Sequence, residues 1–272
     1  MVESEQQKQH IQATFDLVAE HYESNRFFEL SAKQLVKILQ PIVKPNKKLL
    51  DITTGTGLVA LTAAQAYPQL SIEAVDISAQ MLAQAKLKAV QNGISNVNFR
   101  QADIEQLDYK KNSFDVISCG YGLFFLPNLV DSFKTLFSLL KEGGILIFST
   151  FTQEAFAPYN QLFLERLKDF DVKPPELSWK LLQSHEDIKN LCRESQINHV
   201  KIISYPIAYP IQVSDWWNLL NSAGYRGLLN QIPQSKQEEF KRIHLQEVAE
   251  LAVEGELLLN ADTLYGMVTR DC

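Results

Sequence analysis

Apolar and polar residues recur with two different periods over residues 49–150, and their alternation predicts strands interleaved with helices. Short apolar runs typical of buried strands begin the segment 49–61 and occupy 71–75, 97–99, 114–119 and 145–149. Helical spacing predicts helices over 58–67, 79–91 and 129–140, the last ended by Gly143-Gly144. Five strands with helix-length connections imply right-handed crossovers. The predicted fold class is therefore α/β, with a parallel sheet and helices on both faces.

The flanking segments are predicted to be mainly helical. Residues 11–39 carry apolar positions at helical spacing and form an N-terminal helical extension. After residue 150 the pattern predicts a helix over 154–170, a break at Pro174 and Pro175, and a helix over 186–195 with Ser184 as N-cap. Late strands are expected at Val200–Tyr205 and Thr263–Thr269, separated by helices over 215–223 and 236–253, the second with a capping box of Ser235 and Glu238.

A turn that contains two glycines joins the first strand to its helix within residues 49–61. Gly55 and Gly57 lie where the backbone must turn sharply and let a ligand approach the first N–H groups of the helix. The loop does not match the nicotinamide dinucleotide fingerprint, because Thr53 stands at its first glycine position and no third glycine follows at the usual spacing. The turn still predicts a nucleotide-type site at the carboxyl edge of the sheet.

Two carboxylates follow the next strands. Asp76, 19 residues past Gly57, can accept hydrogen bonds from both hydroxyls of an adenosine ribose. The alternative is that it caps the following helix, a task that Ser78 can perform instead. Asp103 can accept a hydrogen bond from an adenine amino group, or it can be a solvated loop carboxylate.

Composition narrows the function further. The net charge of −6 comes without a basic stretch, which disfavours nucleic acid as a partner. Residues 1–10 lack the profile of a signal peptide and no apolar run is long enough to span a bilayer, so we expect a cytoplasmic protein. The three cysteines form no Cys-x-x-Cys and the five histidines do not cluster with them. We therefore expect neither disulfides nor a metal site.

Taken in order, the motifs resemble those of class I S-adenosylmethionine-dependent methyltransferases, in particular the type that includes the ubiquinone/menaquinone-biosynthesis enzymes. The resemblance covers about residues 15–150. It is carried by residues 49–57, Val75-Asp76-Ile77-Ser78 followed by Met81-Leu82, Ala102-Asp103-Ile104, Ser113-Phe114-Asp115-Val116-Ile117 and Leu139-Leu140-Lys141-Glu142-Gly143-Gly144. One departure is Leu123-Phe124-Phe125-Leu126, where many relatives have Leu-His-His-Leu.

The resemblance implies a cofactor site for S-adenosylmethionine. Asp51 and the loop with Thr53, Gly55 and Gly57 would hold the methionine end, and Gly120 would line the same side. Asp76 would bind ribose, while Asp103 and Ile104 would bind adenine. Ile77 and Met81 belong to the same cofactor set, and Tyr22 joins it because the relatives' N-terminal helical segment often closes over the cofactor.

The resemblance also implies a Rossmann-like seven-stranded sheet in which the last two strands form an antiparallel hairpin. The chain 1–272 is then one methyltransferase domain, with an N-terminal helical lid (1–45), a cofactor-binding core (46–150) and the late hairpin (151–272). The hairpin carries a helical substrate cap at about 206–262. Long insertions of this kind are usually binding segments, although a homodimer interface is the competing interpretation.

The function expected from this pattern is in-line methyl transfer to a small, apolar or aromatic molecule. No catalytic residue is assigned, because a base is needed only if the acceptor keeps its proton until late; the candidates are His21, Tyr22, Tyr121 and His185. Tyr121, Tyr209, Trp216 and Trp217 are candidate substrate contacts, or else ordinary core aromatics. A non-catalytic cofactor-binding protein is the alternative, and a nicotinamide-dependent reductase is a weaker one.

Overall fold

The computed structural model describes residues 2–173, 178–222 and 224–271, and its centre is a seven-stranded sheet. The strands are β1 (Lys48–Ile52), β2 (Ser71–Asp76), β3 (Val97–Gln101), β4 (Phe114–Gly120), β5 (Leu140–Phe151), β6 (Val200–Tyr205), β7 (Ala208–Gln212), β8 (Glu256–Asn260) and β9 (Thr263–Thr269). The order across the sheet is β3-β2-β1-β4-β5-β9-β6, while β7 and β8 form a separate ribbon.

The first five strands are parallel, and β9 lies antiparallel between β5 and β6. Leu49 in β1 is opposite Ile72 in β2 and Val116 in β4, and all three side chains are buried. Such strands are apolar throughout because helices cover both faces of the sheet. The predicted seven-stranded α/β sheet with a late antiparallel pair is confirmed.

Ten α-helices surround the sheet within the described residues. They are α1 (Val2–Val18), α2 (Arg26–Leu39), α3 (Leu58–Ala66), α4 (Ala79–Gln91), α5 (Leu129–Leu139), α6 (Tyr159–Asp169), α7 (His185–Glu194), α8 (Val213–Ser222), α9 (Arg226–Leu229) and α10 (Gln237–Ala249). Within the same residues, no helix combines the length and apolarity needed to cross a membrane. The predicted N-cap of α7 is confirmed, because Ser184 and Asp187 form a capping box there.

Several predicted boundaries are wrong for local reasons. Helix α5 ends at Leu139 and β5 begins at once, so Gly143-Gly144 lie inside the strand, where the backbone of Gly143 has φ 72°. The capping box of Ser235 and Glu238 does not form, because a 3-10 turn over Gln234–Lys236 precedes α10. Helix α6 starts at residue 159 rather than 154, and the N-terminal extension is two helices. The break at Pro174 and Pro175 lies outside the described residues.

The segment 206–262 contains more than the two helices predicted for it. It also contains α9 and the β7–β8 ribbon, in which Pro210 is opposite Leu258. Its interior is aromatic: Phe163 of α6 packs edge-on against Phe240, and the indole Nε1 of Trp216 donates a 2.9 Å hydrogen bond to Nε2 of His244. Both partners of this hydrogen bond are completely buried.

Burial lowers the pKa of His244 to about 4, and the charge of Arg166 lowers it further while Glu247 opposes this. A neutral ring that accepts from Trp216 carries its proton on Nδ1, and this atom has no partner among the described residues. Protonation of Nε2 would replace the hydrogen bond with a clash of two N–H groups. His244 therefore stabilises the fold only while it is neutral.

The first prediction concerns stability in acid. The unfolded imidazole titrates near pH 6.5 and the folded one near pH 4, so its contribution is present above pH 6.5 and is lost as the pH falls towards 4. His244→Gln keeps an acceptor for Trp216 but does not titrate. Denaturant unfolding should show the wild type losing roughly 2 kcal/mol more than His244→Gln between pH 7 and 4.5. Exposed His199→Gln is the control, and equal losses in wild type and His244→Gln would contradict the prediction.

Candidate functional site

The loop between β1 and α3 has a backbone that ordinary side chains rarely allow. Thr53, Gly55 and Gly57 have φ of 47°, 56° and 83°. A Cβ built on Gly55 would meet no atom within 4 Å, so this glycine opens onto free space. A Cβ on Gly57 would lie 3.0 Å from that of Ala85, so this glycine lets α3 approach α4. Only Gly55 is placed for a ligand to come close.

Asp76 fastens this loop to the end of β2. Its Oδ2 accepts a hydrogen bond from the N–H of Gly55 and its Oδ1 accepts one from the N–H of Ser78, both 2.8 Å long. Ser78 itself caps α4, because its hydroxyl accepts from the N–H of Met81 at 3.1 Å. The cap that was the alternative role for Asp76 is thus made by Ser78. Burial raises the pKa of Asp76, although three backbone N–H groups oppose the shift.

Asp51 is the second buried carboxylate and lies at the end of β1. It accepts hydrogen bonds from the hydroxyls of Thr54 at 2.5 Å and Ser118 at 2.6 Å. Burial raises its pKa to about 6, and the negative charge of Asp76 adds to the effect despite the two hydroxyls. A cation near this carboxylate, such as an ammonium group, would stabilise its ionised form.

Nine of the eleven residues predicted to bind the cofactor line a single cavity at the carboxyl edge of the sheet, which we call the Asp76 cavity. They are Tyr22, Thr53, Gly55, Asp76, Ile77, Met81, Asp103, Ile104 and Gly120. Asp51 lines an adjoining small pocket together with Thr53, Gly55 and Gly120. Gly57 lines neither, because it serves the packing of α3.

Helix α1 covers this cavity through polar contacts that the sequence did not reveal. The Nζ of Lys8 lies 2.7 Å from Oδ2 of Asp103 and 2.6 Å from Oε2 of Glu105, and the Lys8 side chain is 11% exposed. Asp103 is therefore paired with α1 rather than solvated. Further along α1, Oδ1 of Asp16 accepts a 2.5 Å hydrogen bond from the Ser78 hydroxyl. The N-terminal helix is thus attached at both ends to the strand ends that form the cavity.

A second cavity of about 370 Å³ adjoins the first, and we call it the aromatic cavity. Ten aromatic rings line it, including Phe27, Phe28, Phe151 and Phe156. None of its lining residues is Asp, Glu, Lys or Arg. It shares five lining residues with the Asp76 cavity, which are Ile11, Phe15, Tyr22, Tyr121 and Phe125. The two cavities therefore meet at one wall.

Some of the candidate substrate contacts and candidate bases line the two cavities, and others do not. Tyr121 lines both cavities, and its hydroxyl is 2.6 Å from that of Thr263. Tyr22 also lines both, with its ring stacked on Phe28 at 4.3 Å between centroids. His21 and His185 line neither cavity. His185 instead shares a 2.9 Å hydrogen bond with Ser204.

The other three candidate substrate residues do not reach these cavities. The Tyr209 hydroxyl accepts a 3.1 Å hydrogen bond from the N–H of Phe27 and so holds α2 in place. Trp216 is buried against His244, and the Trp217 ring faces the Nζ of Lys241 at 5.5 Å. The two cavities therefore give no support to their predicted contact with substrate, and their contacts agree with the alternative of ordinary core aromatics.

Comparison with known proteins identifies a matching family and several relatives. Residues 43–224 match the family model described as a methyltransferase domain. The malonyl-[acyl-carrier protein] O-methyltransferase 2 of Coxiella burnetii is 34% identical over 143 residues, which are 52% of this chain and 56% of that protein. The ubiquinone/menaquinone biosynthesis C-methyltransferase of Agrobacterium fabrum is 32% identical over 121 residues, or 44% and 47% of the two chains. The matched part spans about half the length of these curated relatives.

Among solved structures, the YcgJ protein of Bacillus subtilis aligns with a TM-score of 0.61 at 20% identity. The alignment covers 89% of this chain and 98% of that protein. At this level of identity the likeness concerns the fold.

The second prediction concerns the attachment of α1. Lys8→Met removes the cation between Asp103 and Glu105 and leaves two carboxylates facing each other, so opening of α1 should become easier by about 1 kcal/mol. Hydrogen exchange should accelerate several-fold within residues 2–18 and stay unchanged in β1 and β4. Lys33→Met is the control, because the Lys33–Glu29 pair is exposed. Unchanged protection of α1 in Lys8→Met would show that apolar contacts alone hold it.

Proposed function

We propose, since this chain belongs to the methyltransferase-domain family, that it transfers a methyl group from S-adenosylmethionine to a small, apolar or aromatic acceptor. The observation that carries the proposal is the contact between the two cavities. The Asp76 cavity holds the residues suited to a nucleoside, the aromatic cavity is suited to an apolar molecule, and Tyr22 and Tyr121 line both.

The residues of the Asp76 cavity fit the cofactor part by part. Asp76 offers carboxylate oxygens to ribose hydroxyls, and Ile77, Met81 and Ile104 offer apolar surface to a purine. Gly55 leaves room where a side chain would obstruct. Asp51, with its raised pKa, suits the ammonium group of the methionine end. Asp103 can serve the adenine amino group in addition to its contacts with Lys8, the N–H of Glu105 and Nε2 of Gln106.

When bound, S-adenosylmethionine supplies an electrophilic methyl group on a sulfonium whose positive charge is lost as the thioether leaves. Such a displacement depends mainly on alignment and on exclusion of water. The chain contributes both, because α1 covers the junction and Phe15 packs edge-on against Phe125 there, with ring centroids 5.2 Å apart. Tyr22 lines both cavities, and burial together with the negative charge of Asp76 raises its pKa. Because its phenolate form is disfavoured, we assign it no role as a base.

The acceptor does not follow from the relatives. The name of one gives malonyl-[acyl-carrier protein] as the methylated molecule, and the name of the other gives ubiquinone/menaquinone biosynthesis. The alternative is a non-catalytic cofactor-binding protein. Such a protein would not turn over S-adenosylmethionine, whereas a methyltransferase would. A reductase is disfavoured by family membership and by the missing third glycine. Cytoplasmic location and a homodimer stay predictions from the sequence, and the burial of Trp216 within one chain gives the dimer no support.

The third prediction tests the cofactor. S-adenosylmethionine and S-adenosylhomocysteine at a concentration about 100 times Kd should each stabilise the protein by about 2.7 kcal/mol and raise Tm by roughly 5 °C. NADH and NADPH should not, which differential scanning fluorimetry can check. Equal stabilisation by a dinucleotide, or none by either adenosyl compound, would refute the assignment. Release of S-adenosylhomocysteine in the presence of an acceptor would separate the enzyme from a non-catalytic binder.

The fourth prediction is that Asp76→Ala weakens S-adenosylmethionine binding by roughly 1.5–3 kcal/mol, the scale of lost hydrogen bonds to a charged acceptor. Asp103→Ala should cost less. The matched control is Asp115→Ala, since Asp115 has the same 8% exposure as Asp76. Asp115 binds Lys47 and Lys141 at the opposite edge of the sheet.

Asp115→Ala should therefore lower the free energy of unfolding without changing cofactor affinity, measured by calorimetry on the folded proteins. If Asp76→Ala behaves like Asp115→Ala, Asp76 is only a brace for the loop and the ribose lies elsewhere.

A further inference from the structure

The side chains that line the aromatic cavity limit the chemistry of the acceptor, which membership of the family does not define. Its floor is made of fully or nearly fully buried rings, among them Phe27, Tyr121 and Phe156. No acidic or basic side chain of the types Asp, Glu, Lys or Arg lines it in the described chain. A charged group placed on that floor would lose its hydration and find no ion to pair with, at a cost of several kcal/mol.

The polar side chains of the aromatic cavity lie at its mouth. Gln7, His10 and Thr14 follow one face of α1 at helical spacing, and Gln231 faces the cavity from the other side. Gln7, His10 and Gln231 are exposed. They can hydrogen-bond an uncharged group without requiring its burial.

The hydroxyl of Tyr225 lies behind the inner wall and not on its surface. It is buried, and the side chain of Asn160 beside it opposes the rise in its pKa that burial causes. The inner wall therefore presents apolar surface to a molecule in the cavity.

From these observations we infer that the aromatic cavity is the acceptor site and that it takes an uncharged acceptor built mainly of aromatic rings or hydrocarbon. This inference rests on the proposed function, which it narrows by excluding carboxylates, phosphates and ammonium compounds. The apolar part of such an acceptor lies against the buried rings, and its neutral polar groups lie at the mouth.

A glycine lies opposite the polar residues of the mouth. Gly227 on α9 faces α1, and a Cβ built on it would lie 3.5 Å from both Nε2 of His10 and Oγ1 of Thr14, an ordinary van der Waals distance. Alanine therefore fits at this position. Because Gly227 lines the aromatic cavity opposite His10 and Thr14, a branched side chain of four carbons there would press against α1 or occupy part of the cavity.

The experiment uses 2-naphthol and 2-naphthoate, which share a bicyclic ring and differ in charge. Each is titrated by calorimetry into the full chain saturated with S-adenosylhomocysteine. We expect 2-naphthol to bind at least tenfold more tightly than 2-naphthoate. Gly227→Leu should weaken 2-naphthol binding at least tenfold and leave S-adenosylhomocysteine affinity within a factor of two, while Gly227→Ala should resemble the wild type. If Gly227→Leu fails to fold, Thr14→Phe obstructs the same mouth from the opposite wall.

Three results would overturn the inference: equal binding of the two naphthyl compounds, no binding of 2-naphthol, or 2-naphthol binding that a folded mouth variant leaves intact. Failure of S-adenosylhomocysteine to bind is a different result and counts against the proposed function. In that case 2-naphthol and 2-naphthoate are titrated into the protein without cofactor, and the same comparison of charge and mouth width tests the cavity by itself.

Discussion

The carboxylate of Asp76 connects three segments: the end of β2, the loop after β1 and the start of α4. One oxygen accepts from Gly55 in the loop after β1, and the other accepts from Ser78 at the start of α4. The loop also donates from the N–H of Thr54 to the carbonyl of Val75, at 3.0 Å. A loop with three residues at positive φ would sample many conformations if it were free. Held this way, it forms a stable wall for a ligand.

The sheet edge alone would leave an open groove, and α1 turns that groove into a covered cavity. The covering helix relies on contacts to the core, such as Lys8 with Asp103 and Asp16 with Ser78, since a helix of 17 residues is marginal by itself in water. The attachment is polar at Lys8 and Asp16 and apolar at Phe15. Opening α1 therefore costs little compared with unfolding the sheet, which suits a lid that admits ligands.

Aromatic residues serve two purposes that look alike in the sequence. Trp216 and Phe240 fill the interior of the cap, where His244 gives the indole N–H an acceptor. Phe27 and Phe156, equally buried, face empty space instead. What separates the two groups is the arrangement of α2, β5 and the cap around a gap that no side chain fills. Trp216 and Trp217 are the larger side chains, but the aromatic cavity is lined by phenylalanines and tyrosines.

The sequence by itself determined the order of strands and helices over residues 49–150, the glycine loop and most of the residues that line the Asp76 cavity. These depend on features local in the chain: the period of apolar residues, the turn at Gly55 and acidic residues directly after strands, which parallel topology brings to one edge. Sequence also indicated the family, because the motifs recur in a fixed order. Its errors near Gly143-Gly144 and Ser235 came from turn signals that tertiary contacts overrode.

Only the tertiary structure decided which distant residues meet. Lys8 and Asp103 are 95 positions apart, and nothing in the local pattern of either announces their ion pair. The aromatic cavity takes its walls from α1, α2, the ends of β4 and β5 and the cap, so its lack of charge is a property of the assembled walls and of no single segment. Tertiary packing also decided whether Tyr121, Tyr209 and Trp216 line a cavity or lie in the core. A large ring is buried wherever the packing of its neighbours leaves room for it.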